Sequence, residues 1–204
     1  MEPNKHVFLL LKTEKEKTKT IIENVLRMLS HRIFMNNGEK QPIINLERGL
    51  KDIVALNNDV YTVTADNGED YAIKIIFHKL ANIGKQSVVS DFMSEFHKHN
   101  KIIIARDYND KIYKYMKVNK SQIFREHTML SEFLKFVHHP KFELLSPLEM
   151  KQVKAEYNID NYTMKKMLKD DPVARYFDLK KNNIIRIIRP STLSGYSIDY
   201  RRIL

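Results

Sequence analysis

No cysteine occurs in the chain, which excludes disulfides, thiolate zinc sites and a cysteine nucleophile together. A reducing, intracellular setting is the expectation. No apolar run approaches the roughly 18 residues that mark a membrane span, so no membrane partner is expected. The start, Met1-Glu2-Pro3-Asn4-Lys5-His6, lacks the basic and apolar regions of a signal peptide. The five glycines stand singly, so no Gly-rich loop is available to cradle phosphates, and neither a nucleotide-cleaving site nor a cofactor is expected. No run of Lys and Arg exceeds two residues, so the chain has no basic tail.

What is present is a core and a basic surplus. The 204 residues, 43% of them hydrophobic, suffice for one large or two small domains. The net charge of +10 admits nucleic acid, an acidic protein or a membrane surface as partner. Residues 137–204 carry 13 Lys+Arg against 8 Asp+Glu, and residues 1–136 carry 22 against 17, so each part is +5. The shorter C-terminal part is therefore about twice as basic per residue.

Local signals divide the chain. Thr13-Glu14-Lys15-Glu16 reads as a capping box opening a helix to about Ser30, with Ile21, Ile22, Val25, Leu26 and Leu29 on one face. Asn36-Asn37-Gly38 breaks the pattern. Asn45 caps a second helix carrying Leu46, Leu50, Ile53 and Val54. Val60–Thr64 and Tyr71–Phe77 alternate as strands about an Asp66-Asn67-Gly68 turn. Ser87 opens a helix holding Val88, Phe92 and Phe96, and Lys101–Ala105 has the composition of a buried strand. Ile112–Val118 is ambiguous, and Phe124–Phe136 reads as strand and connector. A second domain is expected from about Val137. In it Ser146-Pro147-Leu148-Glu149 starts a helix to about Tyr157, and Tyr162–Lys169 reads as another. Asp171 caps a short helix with Pro172 at its first position. Lys180–Asn183 turn, Ile184–Ile188 form a strand that Pro190 ends, and Ile198–Leu204 close the chain as a last strand.

Few constellations suggest chemistry. His97-Lys98-His99 and His138-His139 are the only histidine clusters, and neither has a carboxylate framework, so no metal site is expected. The helix–sheet–helix order of the N-terminal part is compatible with a restriction-nuclease-like core. Such a core needs Asp or Glu two residues before Lys at a strand end. The candidate strand offers Ala72-Ile73-Lys74, without the acid. Asp178-Leu179-Lys180 and Glu149-Met150-Lys151 have the spacing, but in turn or helical contexts, so no catalytic residue is expected. The tyrosines and phenylalanines stand mostly at core spacing. The C-terminal arginines, Arg175, Arg186, Arg189, Arg201 and Arg202, suit carboxylate pairing at a protein interface as well as phosphate contact.

Asp171-Pro172-Val173-Ala174-Arg175-Tyr176, Leu179-Lys180, Ile187-Ile188-Arg189-Pro190-Ser191 and Gly195 together resemble the C-terminal signature of an RNA polymerase subunit. It is the fifth-largest subunit shared by eukaryotic nuclear polymerases, and it has an archaeal counterpart that consists of the C-terminal module alone. The match runs from about Phe124 to Leu204 and includes Phe124, Glu126, Pro140-Lys141, Leu145-Ser146, Tyr157 and Tyr200-Arg201. Departures are Phe142 in place of a His, Lys135-Phe136 in place of a His-rich pair, Asp178 and Asn182 in place of glycines, and Tyr196 in place of an Arg. The family's Thr-Pro-Ser-Ala loop is not recognisable in the N-terminal part.

The resemblance implies an α+β chain. Residues 1–136 would form an α/β/α, nuclease-like but inactive jaw domain, and residues 137–204 a small α+β assembly domain. It implies a non-catalytic subunit docked on the largest polymerase subunit, with downstream duplex DNA contacted weakly and without sequence preference. Partner contacts would involve Asp171, Pro172, Arg175, Arg186, Arg189, Tyr200 and Arg201. Arg106, Lys111 and Lys114, bordering the polar stretch after Ala105, are the DNA-proximal candidates, although a solvated loop explains them equally. The chain looks most similar to versions carried by large cytoplasmic DNA viruses, African swine fever virus in particular. That implies the host cytoplasm and the virion if viral, and the nucleus if cellular. A stand-alone DNA-binding regulator or a nuclease relative is the alternative; the first needs a recognition helix, the second the missing acids.

Overall fold

The computed structural model describes residues 13–36, 39–57, 59–84, 87–132, 134, 139–160 and 163–204. The segment Val7–Leu11, the start of the second domain at Val137 and the His138 of the second histidine pair lie outside them. By its internal contacts the chain forms two units, Met1–Arg27 with Ile44–Glu132, and Met28–Ile43 with Phe133–Leu204. The helix α1 (Glu14–His31) contributes residues to both.

The first unit holds a five-stranded sheet in the order β3 (Val54–Leu56), β4 (Val60–Thr64), β5 (Asp70–Leu80), β6 (Asn100–Tyr108), β7 (Gln122–Arg125). β4 and β5 are an antiparallel hairpin; Gly68, at φ 80°, supplies the left-handed turn that joins them. β5, β6 and β7 run parallel, so each crossover needs a helix. These are α3 (Val88–Glu95), opened by the Ser87 hydroxyl, and α4 (Asp110–Val118), opened by the Asn109 side chain on the Ile112 N–H at 3.0 Å. Val89, Phe92, Phe96, Ile112 and Met116 bury one face of the sheet with Ala72, Ile76, Ile103 and Ala105. Ile73, Ile75, Ile102 and Ile104 alternate to the opposite face and are buried there. α5 (Glu126–Leu130) packs on β6 and β7, and α1 is tied to it by Lys17–Glu126 at 2.9 Å and Asn24 to the Met129 carbonyl at 2.8 Å. The mixed layering is that of an α+β protein.

The second unit has a four-stranded sheet in the order β8 (Lys141–Leu144), β10 (Ile184–Ser191), β11 (Gly195–Ile203), β9 (Lys166–Met167), and a hairpin of β1 (Ile33–Asn36) with β2 (Glu39–Pro42). α7 (Pro172–Tyr176) covers one sheet face, where Val173, Ala174 and Leu179 meet Ile185, Ile187 and Ile203. α6 (Pro147–Glu156) covers part of the other, where Val153 and Met150 meet Ile184 and Tyr200. The capping boxes at Thr13 and Ser146 and the caps at Asn45, Ser87 and Asp171 form as the sequence predicts. Asn182 and Asp178, at φ 69° and 49°, take the left-handed backbone without glycine.

Several elements differ from expectation. Tyr162–Lys169 is not a helix in its described part: Asp160 holds a turn through the Thr163 N–H at 2.8 Å, and Lys166–Met167 run beside β11. Met167 is buried with Ile203, and this packing overrides local propensity. The second helix, α2 (Leu46–Asp52), stops before Val54, whose segment pairs with β4 instead. Phe124–Phe136 contains the short helix α5, and Ile112–Val118 resolves as α4. Pro190 does not end β10, since it pairs with Tyr196 and the ladder continues to Ser191. Its missing N–H falls on the side where β8, which pairs only with Ile185–Ile188, has already ended.

Candidate assembly interface and DNA-proximal surface

The Asp171 helix is fastened at both ends. Asp171 accepts the Val173 N–H at 2.9 Å, and Pro172 occupies the first position, where no N–H is needed. At the other end Leu179 donates to the Ala174 carbonyl at 2.9 Å and Asp178 to the Arg175 carbonyl at 3.2 Å. This is the double closure of a helix ending in a left-handed residue, which explains how Asp178 stands in for glycine. Two further donors come from far away in sequence. The Arg32 Nε donates to the Tyr176 carbonyl at 2.8 Å and its Nη2 to the Arg175 carbonyl at 3.3 Å, with Arg32 only 2% exposed. Beside it the His31 Nδ1 lies 2.9 Å from the Tyr176 hydroxyl. A buried cation at a helix C-terminus meets the negative end of the dipole as well as two carbonyls.

The candidate partner residues divide between the two sheet faces. Cross-strand register places Arg186 opposite Tyr200 and Glu143. The Arg186 guanidinium lies 5.7 Å from the Tyr200 ring centre and donates to Glu143 at 3.3 Å, while Tyr200 meets the Tyr157 ring at 5.5 Å. Burial works against the Arg186 charge, yet Tyr200 and Glu143 outweigh it and hold its pKa above the ordinary value. Glu143 is held below the carboxylate range, first by Lys141 at 2.7 Å and then by Arg186. Arg201, one residue on, lies on the opposite face. It donates to Asp199 at 3.3 Å, and Lys165 reaches the same carboxylate at 2.9 Å. Burial would raise the Asp199 pKa, but the two cations lower it. Arg189 shares that face and is exposed at the ribbon end, with no ion pair to a described residue. Pro172 and Arg175 lie in α7, which Asp171 caps and which covers the same face.

The DNA-proximal candidates are all exposed but do not form one row. Arg106 follows Ile104 by two in β6 and so alternates away from Ile103 and Ala105. Lys111 and Lys114 lie on α4, whose Ile112 and Met116 pack on the Ile103 side. Nearby, Asp107 is held by Arg125 at 3.1 Å and Lys79 at 3.3 Å, and Arg125 lies 5.0 Å from the Tyr108 ring centre. Lys74 is buried, and burial lowers its pKa, partly offset by Asp59. Ala72, two residues earlier, is fully buried and offers no carboxylate. Among the described residues no group of three His, Asp or Glu is placed to hold a metal.

Arg32 and His31 were not legible as parts of this site, because nothing near them points to residues beyond 170. Glu143 and Ile198 were likewise missed; register alone places them, while Tyr157 reaches Tyr200 from the end of α6. The strand pattern of β10 does carry a hint, in the single Arg186 within an apolar run.

Residues 131–203, which hold this sheet and its helices, match the family model described as RNA polymerase Rpb5, C-terminal domain. The chain belongs to the RNA polymerase subunit 5 family. It is 46% identical over 202 residues to DNA-directed RNA polymerase subunit 5 of Acanthamoeba polyphaga mimivirus, which covers 98% of each chain. It is 27% identical over 191 residues to the DNA-directed RNA polymerases I, II, and III subunit rpabc1 of Dictyostelium discoideum, covering 89% of this chain and 94% of that one. The Methanocaldococcus jannaschii subunit Rpo5 is 34% identical over 65 residues, 32% of this chain but 83% of that protein.

Proposed function

We propose that this chain docks on the largest subunit of a DNA-directed RNA polymerase through its C-terminal region, residues 137–204, and that residues 1–136 act as a jaw beside downstream duplex DNA. The chain is a non-catalytic subunit, and RNA synthesis belongs to the complex. The observation that carries the assembly role is the family match: residues 131–203 by themselves match the RNA polymerase Rpb5, C-terminal domain. The relatives support neither a stand-alone DNA-binding protein nor a nuclease. If the chain is viral, as the near-full-length mimivirus relative suggests, it works in the host cytoplasm and the virion; if it is cellular, it works in the nucleus.

Tagged chain purified from its native source should bring down two very large chains in equal amounts; recovery without them would refute the reading. A jaw must accept every sequence, so its contacts go to phosphates. Replacing Arg106 and Lys111 by Ala in the assembled polymerase should reduce the salt slope of downstream-duplex binding by about 1 for each phosphate no longer neutralised. An unchanged slope, or a loss that depends on DNA sequence, would remove these residues from the jaw surface.

A further inference from the structure

We infer that the free edge of β11 takes an extended segment of another polymerase subunit as an added strand. The inference rests on the polymerase reading and deepens it by naming the surface and the form of the partner.

β10 and β11 pair from Ile184–Arg202 to Ser191–Gly195, but their neighbours cover little of them. β8 reaches only Ile188, and β9 pairs only with Arg202 and Ile203. Beyond these points no described residue pairs with the outer edges of the two strands, and a two-stranded ribbon is of marginal stability by itself. Its two edges are not alike. On β10, Pro190 removes the N–H that would face a newcomer, a recognised way of closing an edge. On β11 the register is unbroken and no proline intervenes.

The direction of the β11 groups follows from the bonds at its end. Arg202 donates outward to the Lys165 carbonyl at 2.8 Å and Leu204 to the Met167 carbonyl at 3.0 Å, whereas Ile203 donates inward to Asn183 at 2.9 Å. Even-numbered residues therefore face the edge. Tyr196 is closed by the turn, its N–H on the Ser194 carbonyl at 2.8 Å and its carbonyl accepting the Ser194 hydroxyl at 3.1 Å. Ile198 and Tyr200 remain, with backbone groups that meet no backbone partner among the described residues. Unpaired N–H and C=O groups in a row are satisfied by an extended chain, not by a helix.

Side chains set the chemistry of that chain. Tyr196 and Ile198, 70% and 53% exposed, stand opposite Pro190 and Ile188 and form an apolar face. On the other face Asp199 is already held by Lys165 and Arg201, while Arg189 has no acid facing it among the described residues. The fitting segment is extended, apolar on the side of Ile198 and carboxylate-bearing on the side of Arg189. It continues the line that β9 begins.

The test compares Ile198→Ala with Ile198→Pro in the full chain, co-expressed with the other polymerase subunits. Both lose the side chain, but only proline loses the outward N–H, which makes no bond to a described residue. One interfacial hydrogen bond and the closed edge should make the Pro variant about tenfold weaker than the Ala variant in assembly. Amide exchange on the wild-type complex reads the same bond without any substitution, and the Ile198 amide should slow on assembly. Equal assembly of the two variants with an unslowed amide overturns this inference alone. Wild-type chain that fails to co-purify with the large chains overturns the polymerase reading with it. A wild-type dimer that Ile198→Pro dissolves, with polymerase assembly unchanged, makes a second copy the occupant and overturns the proposal.

Discussion

In the first unit the central strands are buried on both faces: Ile73 and Ile102 lie on one side, Ala72 and Ile103 on the other, none more than 1% exposed. In the second unit the corresponding hairpin begins equally buried, at Ile184 and Ile185, and ends with Tyr196 and Ile198 in solvent. The same β-rich chemistry is therefore put to different use. A sheet covered by helices on both faces leaves polar helix surfaces for contact with others, as the exposed lysines of α4 show. A sheet that outruns its helices leaves apolar side chains and strand edge uncovered, and these favour a protein partner.

The contrast can be broken most directly in the cores. Ile103→Ala should lower stability by about 2–5 kcal/mol in urea unfolding, whereas Ile198→Ala should stay within about 0.5 kcal/mol. Comparable losses would mean that the ribbon end is packed after all. Arg32→Ala comes next. It removes the buried cation that donates to the Tyr176 carbonyl and shares the Arg175 carbonyl with the Asp178 N–H, at a cost of about 2–4 kcal/mol, and a thermal midpoint equal to wild type would deny this role. Arg189→Ala should leave the stability of the free chain unchanged and weaken assembly by about 1–3 kcal/mol if a carboxylate meets it in a desolvated interface. A drop in free-chain stability would instead give Arg189 an internal role.

The smallest effect is a pH effect in the second unit. Burial alone would raise the Glu149 pKa, but Lys40 at 2.5 Å and the Ser146 amide and hydroxyl lower it to about 2. A folded pKa below the unfolded one stabilises the protein above the ordinary carboxylate value, and that contribution fades as pH falls toward about 2. Both side chains of the ion pair are about a third exposed, so screening leaves under about 1 kcal/mol. The stability difference between wild type and Glu149→Gln should therefore shrink on acidification over this range; a gap that widened would reverse the sign and exclude the linkage.

Much of the second unit was legible residue by residue. Asp171 with Pro172, Ser146 with Glu149, and the Asn182 turn each depend on neighbours within a few positions, and each forms as read. The family signature lies in the same stretch. The short strand β9 and the helix α5 were not legible, because a two-residue strand and a five-residue helix carry no period of their own. The candidate site was legible in residue type only. Arg186 stands out in its apolar run, but nothing in the sequence says that it and Arg201 sit on opposite faces in separate ion pairs.

Local sequence sets the starts of the capped helices, the Gly68 and Asn182 turns and the apolar strands, since caps and alternation act over a few residues. Tertiary structure alone decided that Met28–Ile43 joins the C-terminal unit and that Arg32 closes a helix 144 residues further on. It also decided that β11 has an open edge at Ile198. Those outcomes depend on which surfaces meet after collapse and on where a neighbouring strand stops. Backbone groups are the same at every position of a chain, so only pairing in space tells a satisfied one from a free one.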